Sequence, residues 1–326
     1  MARVTSADVA RESGVSRTTV SYVLNARKDV VLTEATRQRV LDAAARLGYT
    51  PSAAARALRA GRSDLVLLVL PDWTLGPAID TLIEHLSTAL ATHGLSVLVH
   101  IRHGGRPLDE LWRAVTPCVV LSLSPFPAAD TRAMQQAGIP VVGTALDDDP
   151  QPDVFAVPQA SIGALQADHL VARGHRVLAY AAPHDDRLAA FADRRLAGVR
   201  AACERHRVPA PEVASVDLDV ASARAAVDAW RAAGVTAVAA YNDEVALAVL
   251  AGLRDAGLDV PGDVAVIGVD DIPAARVAAP ALTTVWQAID AQAEHLAAAV
   301  LAALGLAEST PERPDDVFHL VQRAST

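Results

Sequence analysis

Four polar side chains near the start of the chain, Arg17, Thr18, Ser21 and Tyr22, fall at the spacing of one helix face. Arginine, threonine and serine hydrogen-bond to base edges in the major groove of DNA, and an α-helix fits that groove. The spacing therefore predicts a surface that contacts DNA. A helix pair that serves only for packing would show a similar spacing, so the flanking elements and the charge must decide between the two.

The residues around this face predict two short helices joined by a glycine turn. Thr5 and Asp8 have the spacing of a capping box, Gly14 is suited to the left-handed residue that ends a helix, and Ser16 is a good N-cap for the next helix. The inward side of this second helix is apolar, with Val20, Val23 and Leu24. Two helices at a glycine turn, the second polar on its outer face, form a helix-turn-helix motif.

The charge distribution favours DNA as the partner. Residues 1–62 contain ten Arg and one Lys against three Asp and two Glu, a net charge of +6, whereas the whole chain carries −9, which leaves −15 for residues 63–326. A basic head on an acidic body is suited to a polyanion and to a separate second function.

The segment that follows extends the head. A third helix is predicted between Thr33, as its N-cap, and Gly48, with Val40, Leu41 and Leu47 expected to close a small core. After it comes an alanine-rich stretch, residues 49–59, in which Pro51 could open a short helix. Such a helix would be marginal alone, so this stretch is either a plain linker or a segment that folds on binding.

After Gly61 short apolar runs alternate with helical stretches, which predicts parallel sheets in a doubly wound α/β fold. About 264 residues suit two such cores better than one. The predicted strands are 65–70, 95–101, 118–123, 141–142, 177–181, 213–216, 237–240 and 264–269, and the predicted helices are 82–92, 165–173, 188–207, 223–233 and 245–256. The boundary between the two cores is expected in the loop near Pro150 to Pro158.

Ordered motifs run through the whole chain. In the head they are residues 8–21, 23–25, 36–37, 47–49, Pro51 and 56–58; in the body they are residues 169–176, 195–198, 242–247, 263–271, 282–285 and 320–326. In these motifs the chain resembles the LacI/GalR family of bacterial repressors. The resemblance implies an N-terminal all-α helix-turn-helix head and an α/β periplasmic-binding-protein-like core of two doubly wound parallel-sheet subdomains.

The expected domains follow from that resemblance. They are a helix-turn-helix domain at 1–48, a hinge helix and linker at 49–62, a first core subdomain at 63–158 plus about 288–314, and a second at 159–287 plus about 315–326, with a ligand cleft between the subdomains. The chain is expected to cross between subdomains near Gln159, Gln287 and Asp315.

The resemblance also implies which residues contact DNA. In the family, the second helix reads the major groove, and a leucine from each hinge of the dimer wedges between base pairs, at the position of Leu58. A leucine that merely packs on the body is the alternative for Leu58. Tyr22 and Ser52 depart from the usual residues, which leaves the operator sequence open. The expected DNA contacts are Thr5, Ser16, Arg17, Thr18, Ser21, Tyr22, Asn25, Ser52, Ala55, Arg56 and Leu58.

A small, polar, sugar-like effector is expected in the core cleft, bound by Arg195, Asn242, Asp270 and Trp73. Polar groups at the C-terminal ends of parallel strands face such a crevice, and the family uses a matching Arg and Asp. Each candidate has a plainer alternative, because Asn242 could cap the following helix, Asp270 could pair with an arginine, and Trp73 could be core. Asp271 is expected to be structural, and Trp286 is a second possible stacking platform.

The first subdomain departs most from the family. Residues 71–77 replace the asparagine-proline-phenylalanine turn that is usual there, Val157 to Gln159 stand where an aspartate-asparagine pair is common, and Ala145 stands near an expected aspartate. One wall of the cleft is therefore expected to be poor in polar side chains. The alternative function is the same DNA-binding regulator with no working effector site.

Other classes find little support in the sequence. Cys118 and Cys203 lack metal-ligand spacing and are expected to be buried free thiols, and no catalytic or nucleotide-binding motif occurs. An enzyme would need Asp270, Asp271 and His184 to meet in one pocket. A solute-binding protein is disfavoured by the basic head and the absence of an export signal. We therefore expect a cytoplasmic homodimer without cofactor, metal or membrane contact that binds a pseudo-palindromic DNA operator and is not an enzyme.

Overall fold

The computed structural model describes residues 4–24, 30–49, 63–103, 107–143, 158–307 and 315–326. It divides into two compact units, Met1–Asp64 and Leu65–Thr326. The first unit contains the described helices α1 (Ser6–Ser13), α2 (Arg17–Leu24) and α3 (Glu34–Arg46).

The helix ends of the first unit are as the sequence predicts. The Asp8 carboxylate accepts hydrogen bonds from the backbone N–H and the hydroxyl of Thr5, at 2.9 and 2.7 Å. Gly14 ends α1 in the left-handed region with φ 68°. The Ser16 hydroxyl accepts from the N–H of Thr19 at 3.0 Å and so caps α2. These contacts fix the turn that presents α2.

The small core of this unit lies where the three helices meet. Val9, Val20, Val23 and Val40 are buried there, together with Ala43 and Ala44. The prediction for Leu41 was wrong, because its side chain is 41% exposed. The inward face of α3 runs through positions 40, 43 and 44, and a residue directly after Val40 lies about 100° away around the helix.

The described residues of the second unit form two four-stranded parallel sheets and one antiparallel pair. The first sheet has the order β2-β1-β3-β4 and the second β6-β5-β7-β8, while β9 pairs with β10. The strands are β1 (Leu65–Leu70), β2 (Ser96–Ile101), β3 (Val119–Ser122), β4 (Val141–Gly143), β5 (Leu178–Pro183), β6 (Glu212–Val216), β7 (Ala237–Ala240), β8 (Ala265–Ile267), β9 (Thr284–Gln287) and β10 (Phe318–Val321). All eight apolar runs predicted as strands therefore form strands in these sheets.

Helices connect and cover the sheets. They are α4 (Pro77–Ala91), α5 (Leu108–Val115), α6 (Ala128–Gln136), α7 (Gln159–Ala172), α8 (Ala189–His206), α9 (Val220–Ala232), α10 (Asp243–Asp255), α11 (Pro273–Val277) and α12 (Ile289–Ala303), with a short 3₁₀ turn at Asp186–Leu188. The five helices predicted for the body are present, and α5, α6, α11 and α12 were missed. None of the described helices is both long and apolar enough to cross a membrane.

The first sheet is buried on both faces. Along β1, Val66, Leu68 and Leu70 pack with residues of α4 and α12, and the intervening Leu67 and Val69 pack with residues of α5 and α6. This alternation of faces is the period of a β-strand. We call this sheet with α4, α5, α6 and α12 the first subdomain.

The second sheet, with α7 to α11 and the β9–β10 pair, forms the second subdomain. Helices α7 and α8 pack unusually closely here. A Cβ atom placed on Gly163 would lie 1.9 Å from the backbone oxygen of Arg195, and one on Gly198 would lie 1.8 Å from that of Ala160. Glycine at both positions allows the two backbones to touch.

The chain passes between the subdomains before Gln159, after Gln287 and again before β10. Gln159 opens α7 in the second subdomain after a strand, β4, of the first. Gln287 ends β9, and α12 then packs into the core of the first subdomain. Strand β10 returns to pair with β9, with Leu320 opposite Val285.

Candidate functional site

A cleft with about 980 Å³ of empty space, part of it open to solvent, lies between the two subdomains. Trp73, Arg195, Asn242 and Asp270 all line it. The structure thus brings together the four residues that the sequence analysis expects to bind the effector. They come from loops and helix ends that follow β1, β7 and β8, and from the buried side of α8.

Arg195 is the buried cation of the cleft, with 4% of the residue exposed. Its Nε donates to Gln159 Oε1 at 2.8 Å, and its Nη1 donates to the backbone oxygen of Tyr241 at 2.5 Å. Its guanidinium carbon lies 4.8 Å from the centre of the Tyr241 ring, within cation–π range. These contacts hold the guanidinium in one orientation and leave Nη2 facing Asp270.

Asp270 is the acceptor opposite that cation. Its Oδ1 lies 3.9 Å from Arg195 Nη2, longer than a hydrogen bond, and accepts from Gln287 Nε2 at 2.5 Å. Burial raises the pKa of the Asp270 carboxyl, and Arg195 and Gln287 act in the opposite direction. The two groups thus keep hydrogen-bonding capacity for a ligand hydroxyl. The plainer alternative for Asp270 was that it pairs with an arginine. Asp270 both faces Arg195 and lines the cleft, so the two possibilities do not exclude each other.

A ring of four side chains closes the floor of the cleft. Gln159 Nε2 donates to Gln287 Oε1 at 3.4 Å, which completes the path from Arg195 through Gln159 and Gln287 to Asp270. Asp270 also has a backbone φ of 106°, a region that residues other than glycine rarely adopt. Strain of this kind is found where the surroundings fix a functional side chain.

Asn242 both caps a helix and lines the cleft. Its Oδ1 accepts from the N–H of Val245 at 3.0 Å, so the helix-cap alternative is correct. Its Nδ2 lies 3.5 Å from Oε2 of Glu244, a second carboxylate on the cleft wall. Its amide N–H groups are the part of Asn242 that a ligand can reach.

The tryptophans differ in position. Trp73 lines the cleft and contacts Phe191 edge-on, with ring centres 4.9 Å apart and planes at 65°. Because Phe191 belongs to α8, this contact joins the two subdomains. Trp286 does not line this cleft; its ring stacks on His319, at 4.7 Å.

One hydrogen bond spans the mouth of the cleft. The Thr74 hydroxyl, just after β1, donates to the Asp185 carboxylate of the second subdomain. Arg187 Nη2 also donates to that carboxylate, at 2.6 Å. Hydrogen bonds from Arg187 and Thr74 hold the pKa of the Asp185 carboxyl well below its usual range. The contact therefore persists as a charge-assisted bond at neutral pH.

Two further carboxylates lie behind the cleft. Asp271 pairs with Arg276 and Arg323, which fits the structural role expected for it. Asp243 is fully buried and accepts from the Thr284 hydroxyl at 2.6 Å and from the N–H of Ile272 at 2.9 Å. Burial raises the pKa of the Asp243 carboxyl to about 7.

The arrangement that an enzyme would need is not formed. His184 is exposed and hydrogen-bonds to Ser215 at 3.1 Å, and neither His184 nor Asp271 lines the cleft. Among the described residues no group of three or more His, Cys, Asp and Glu could hold a metal ion. Both cysteines are buried free thiols, as predicted.

Several lining residues were missed by the sequence analysis: Gln159, Tyr241, Glu244, Gln287 and Phe191. Gln159 and Gln287 were noted only as points where the chain crosses between subdomains. A polar residue at such a crossing lies next to the cleft, and that could have marked both. Nothing in the sequence marked Phe191, because an isolated aromatic residue in a helix does not indicate which neighbouring element its ring will contact.

The expected DNA contacts divide into described and undescribed residues. On α2, Arg17 and Thr18 are exposed, and Ser21 and Tyr22 are half-buried; Thr5 and Ser16, which precede α1 and α2, are exposed. Asn25, Ser52, Ala55, Arg56 and Leu58 lie outside the described residues.

Comparison with known proteins gives consistent matches. Residues 5–52 match the family described as "Bacterial regulatory proteins, lacI family", and residues 167–326 match a periplasmic binding protein-like domain. The ribose operon repressor of Escherichia coli K12 is 31% identical over 298 residues, covering 87% of this chain and 88% of that protein.

Two solved structures align over nearly the full length. The lac repressor dimer bound to operator and the anti-inducer ONPF has a TM-score of 0.81 and 25% identity, covering 99% of each chain. A complex of the transcriptional regulator CelR with cellobiose has a TM-score of 0.65 and 28% identity, covering 99% of this chain and 100% of the other.

Proposed function

Because the chain belongs to the LacI family of bacterial regulatory proteins, we propose that it is a homodimeric transcriptional repressor whose affinity for operator DNA is set by a sugar-like effector. The observation that carries this proposal is the Arg195–Asp270 pair, which faces a cleft between two subdomains in a chain that also has a helix-turn-helix unit. The relatives named above include the ribose operon repressor, a lac repressor bound to operator and an anti-inducer, and a regulator in complex with cellobiose.

The DNA-binding half of the function uses α2. Arg17 and Thr18 are exposed on it, and their side chains are of the types that reach base edges and phosphates. A dimer presents two such helices about a two-fold axis, so the operator is pseudo-palindromic. Leu58, at the hinge position, wedges between base pairs at the centre of the operator. This work takes place in the cytoplasm, where the operator DNA is.

The effector-binding half uses the cleft. Arg195 and the Asn242 amide donate to ligand oxygens, and Asp270 accepts from a ligand hydroxyl. A ligand that contacts both subdomains favours one relative arrangement of the two. Its effect on DNA affinity cannot exceed the ratio of its affinities for the two arrangements. Among the described residues that line the cleft, the polar groups are suited to binding and orienting a ligand, which supports a regulatory role.

The test uses the full chain in a thermal shift assay against sugars, nucleosides and polyols, with and without DNA from its own upstream region. A ligand at 100 times its Kd stabilises the fold by about 2.7 kcal/mol. We expect one ligand class to raise Tm and to change operator affinity, and Arg195→Ala to abolish the response while operator binding remains. Stabilisation by DNA but by no small molecule would instead support a regulator without a working effector site.

A further inference from the structure

The walls of the cleft differ in chemistry. The second subdomain and the crossing points supply its strongly polar groups: Gln159, Arg195, Asn242, Glu244, Asp270 and Gln287. The facing wall of the first subdomain is apolar, with Trp73, Pro77, Ala78, Ile79, Leu82 and Leu123. A ligand that fills this space meets hydrogen-bonding groups on one side and carbon on the other.

The polar groups of the first-subdomain wall are few. Among the lining residues that the structure describes, only Thr74 and Gln292 have polar side chains there, and Thr74 already donates to Asp185. A sugar that is hydroxylated all round would lose water at this wall without gaining partners, which opposes binding. The apolar wall therefore selects a ligand whose outer face is also apolar.

The charge of the cleft is the second constraint. Arg195 is the one cationic residue among the described lining residues, and it faces Asp270 while Glu244 adds another carboxylate. The net charge of the described lining side chains is therefore not positive. A phosphate or a carboxylate on the ligand would find no unpaired cation among them. The size of the cleft, about 980 Å³ including its open part, allows a ligand of two rings.

We infer that the effector is an uncharged molecule with two parts, a hydroxylated ring bound by Arg195 and Asp270 and a planar apolar group bound against Trp73 and Ile79. This inference rests on the proposed function of the cleft. Aryl glycosides have this chemistry, and nucleosides share it only through the flat face of the base, because the edges of the base carry hydrogen-bonding groups. Burial of an aromatic ring against an apolar wall makes such a ligand at least about 30-fold tighter than the same sugar with a methyl group in place of the ring.

The experiment measures Kd by calorimetry on the full chain with matched probes. They are the phenyl and methyl glycosides of glucose, galactose, xylose and ribose, the nucleosides adenosine and uridine, and glucose 6-phosphate and ribose 5-phosphate. We expect the phenyl member of one pair, or a nucleoside, to bind at least about 30-fold more tightly than the matched methyl glycoside. Both sugar phosphates should bind more weakly than the neutral probe that binds most tightly.

Variants locate the effect. Ile79→Asn places an amide in the apolar wall and should remove most of the preference for the ring, measured as the ratio of the Kd values of the methyl and phenyl glycosides. Trp73→Leu keeps an apolar side chain, so it should reduce the preference for the phenyl over the methyl glycoside less than Ile79→Asn does. Leu75→Asn is the control, because Leu75 is exposed and does not line the cleft.

The outcomes separate the inference from the proposed function. Equal binding of phenyl and methyl glycosides, or tighter binding of a sugar phosphate, overturns the inference and leaves a sugar-responsive repressor in place. A ring preference that Ile79→Asn does not reduce overturns the position of the apolar group. Absence of binding by every probe, with operator binding intact, overturns the effector half of the proposed function as well.

Discussion

Gly163 lies against the backbone of Arg195 so closely that a Cβ atom on the glycine would stand 1.9 Å from the Arg195 carbonyl oxygen. No real Cβ contact is that short, so the two helices can hold their present spacing only with glycine at this position. The same spacing brings Arg195 Nε to 2.8 Å from Gln159 Oε1. A close approach of two backbones thus fixes the depth at which the guanidinium enters the cleft.

Gly163→Ala should lower the free energy of unfolding by about 1–3 kcal/mol, because α7 and α8 must move apart to admit the methyl group. The loss is expected although alanine is the better helix former by about 1 kcal/mol. Urea unfolding followed by circular dichroism measures it. Ser161→Ala, on the exposed side of the same helix, is the control and should stay within about 0.5 kcal/mol of wild type. An unchanged midpoint for Gly163→Ala would contradict the close packing.

Arg195→Ala should reduce stability more than a surface arginine does, by about 3–5 kcal/mol, since it leaves Asp270 buried without its cation. The matched control is Arg205→Ala, whose partner Asp168 is exposed; it should cost less than about 1 kcal/mol. The double variant Arg195→Met/Asp270→Asn should recover much of the loss but not the effector response. Equal stability losses in Arg195→Ala and Arg205→Ala would show that the pair is not buried in solution.

Asp243 should make the stability of the second unit depend on pH. The folded chain holds a proton with a pKa of about 7, well above the ordinary value of 3.8. The unfolded chain releases that proton above about pH 4, so the stabilising contribution is complete below pH 4, falls as the pH rises, and is gone above pH 7. Between pH 5.5 and 7.5 the loss is about 2 kcal/mol.

Asp243→Asn should abolish this slope whatever it does to the absolute stability. The measurement is the urea midpoint of both proteins at steps of half a pH unit, and the difference between the two curves removes the contributions of other titrating groups. His169 and His175 have lowered pKa values and act in the opposite direction below about pH 6.5. Parallel curves for wild type and variant would show that Asp243 is already ionised at pH 5.

Thr74→Val should weaken effector binding by about 3- to 10-fold, because the variant keeps the shape of the side chain but loses the hydrogen bond to Asp185 across the cleft. Calorimetry with the tightest ligand found measures the change. Thr92→Val is a suitable control, since the Thr92 hydroxyl bonds only locally, near the end of α4. An equal loss of effector affinity in both variants would contradict a specific role for the Thr74–Asp185 hydrogen bond across the cleft.

Arg17→Ala should weaken binding to the specific operator by about 10- to 100-fold, and it should reduce discrimination between operator and random DNA if Arg17 reaches a base edge. Fluorescence anisotropy at several salt concentrations measures both. Arg39→Ala removes the same charge from an exposed position on α3, and it should leave that discrimination unchanged. An equal loss on operator and random DNA, with a salt slope smaller by about one, would assign Arg17 to a phosphate instead.

The sequence contained enough to predict the eight strands of the two parallel sheets and several helix caps, because these depend on local patterns; strands β9 and β10 were missed. Leu65 to Leu70 is apolar throughout, as a strand buried on both faces must be, and Thr5, Gly14 and Ser16 act within one helical turn. The missed helix α5 has five apolar and three charged residues, but it spans only eight positions, which is short for a helical period to be recognised. Leu41 was predicted to be buried because leucine is hydrophobic. It is exposed because its position lies beside the buried face of α3.

The candidate site was predicted only in part, for a physical reason. Arg195, Asn242, Asp270 and Trp73 lie in one cleft, and their roles in binding stay predictions. Phe191 could not be found, because its place in the cleft depends on how α8 folds back from a distant part of the chain to meet Trp73. Contacts between residues more than a hundred positions apart, such as Thr74 and Asp185, leave no trace in one sequence.

Gln159 and Gln287 stand where the chain passes from one subdomain to the other, and both are bonded into the ring that holds Arg195 and Asp270. The side chains that hold the candidate ligand-binding pair in place therefore lie at the two points where the chain crosses between the subdomains. A substitution here that broadens ligand choice will also alter the resting level of repression. Under the proposed function, selectivity and basal expression should therefore change together at these two positions, whereas substitutions in the apolar wall should change selectivity alone.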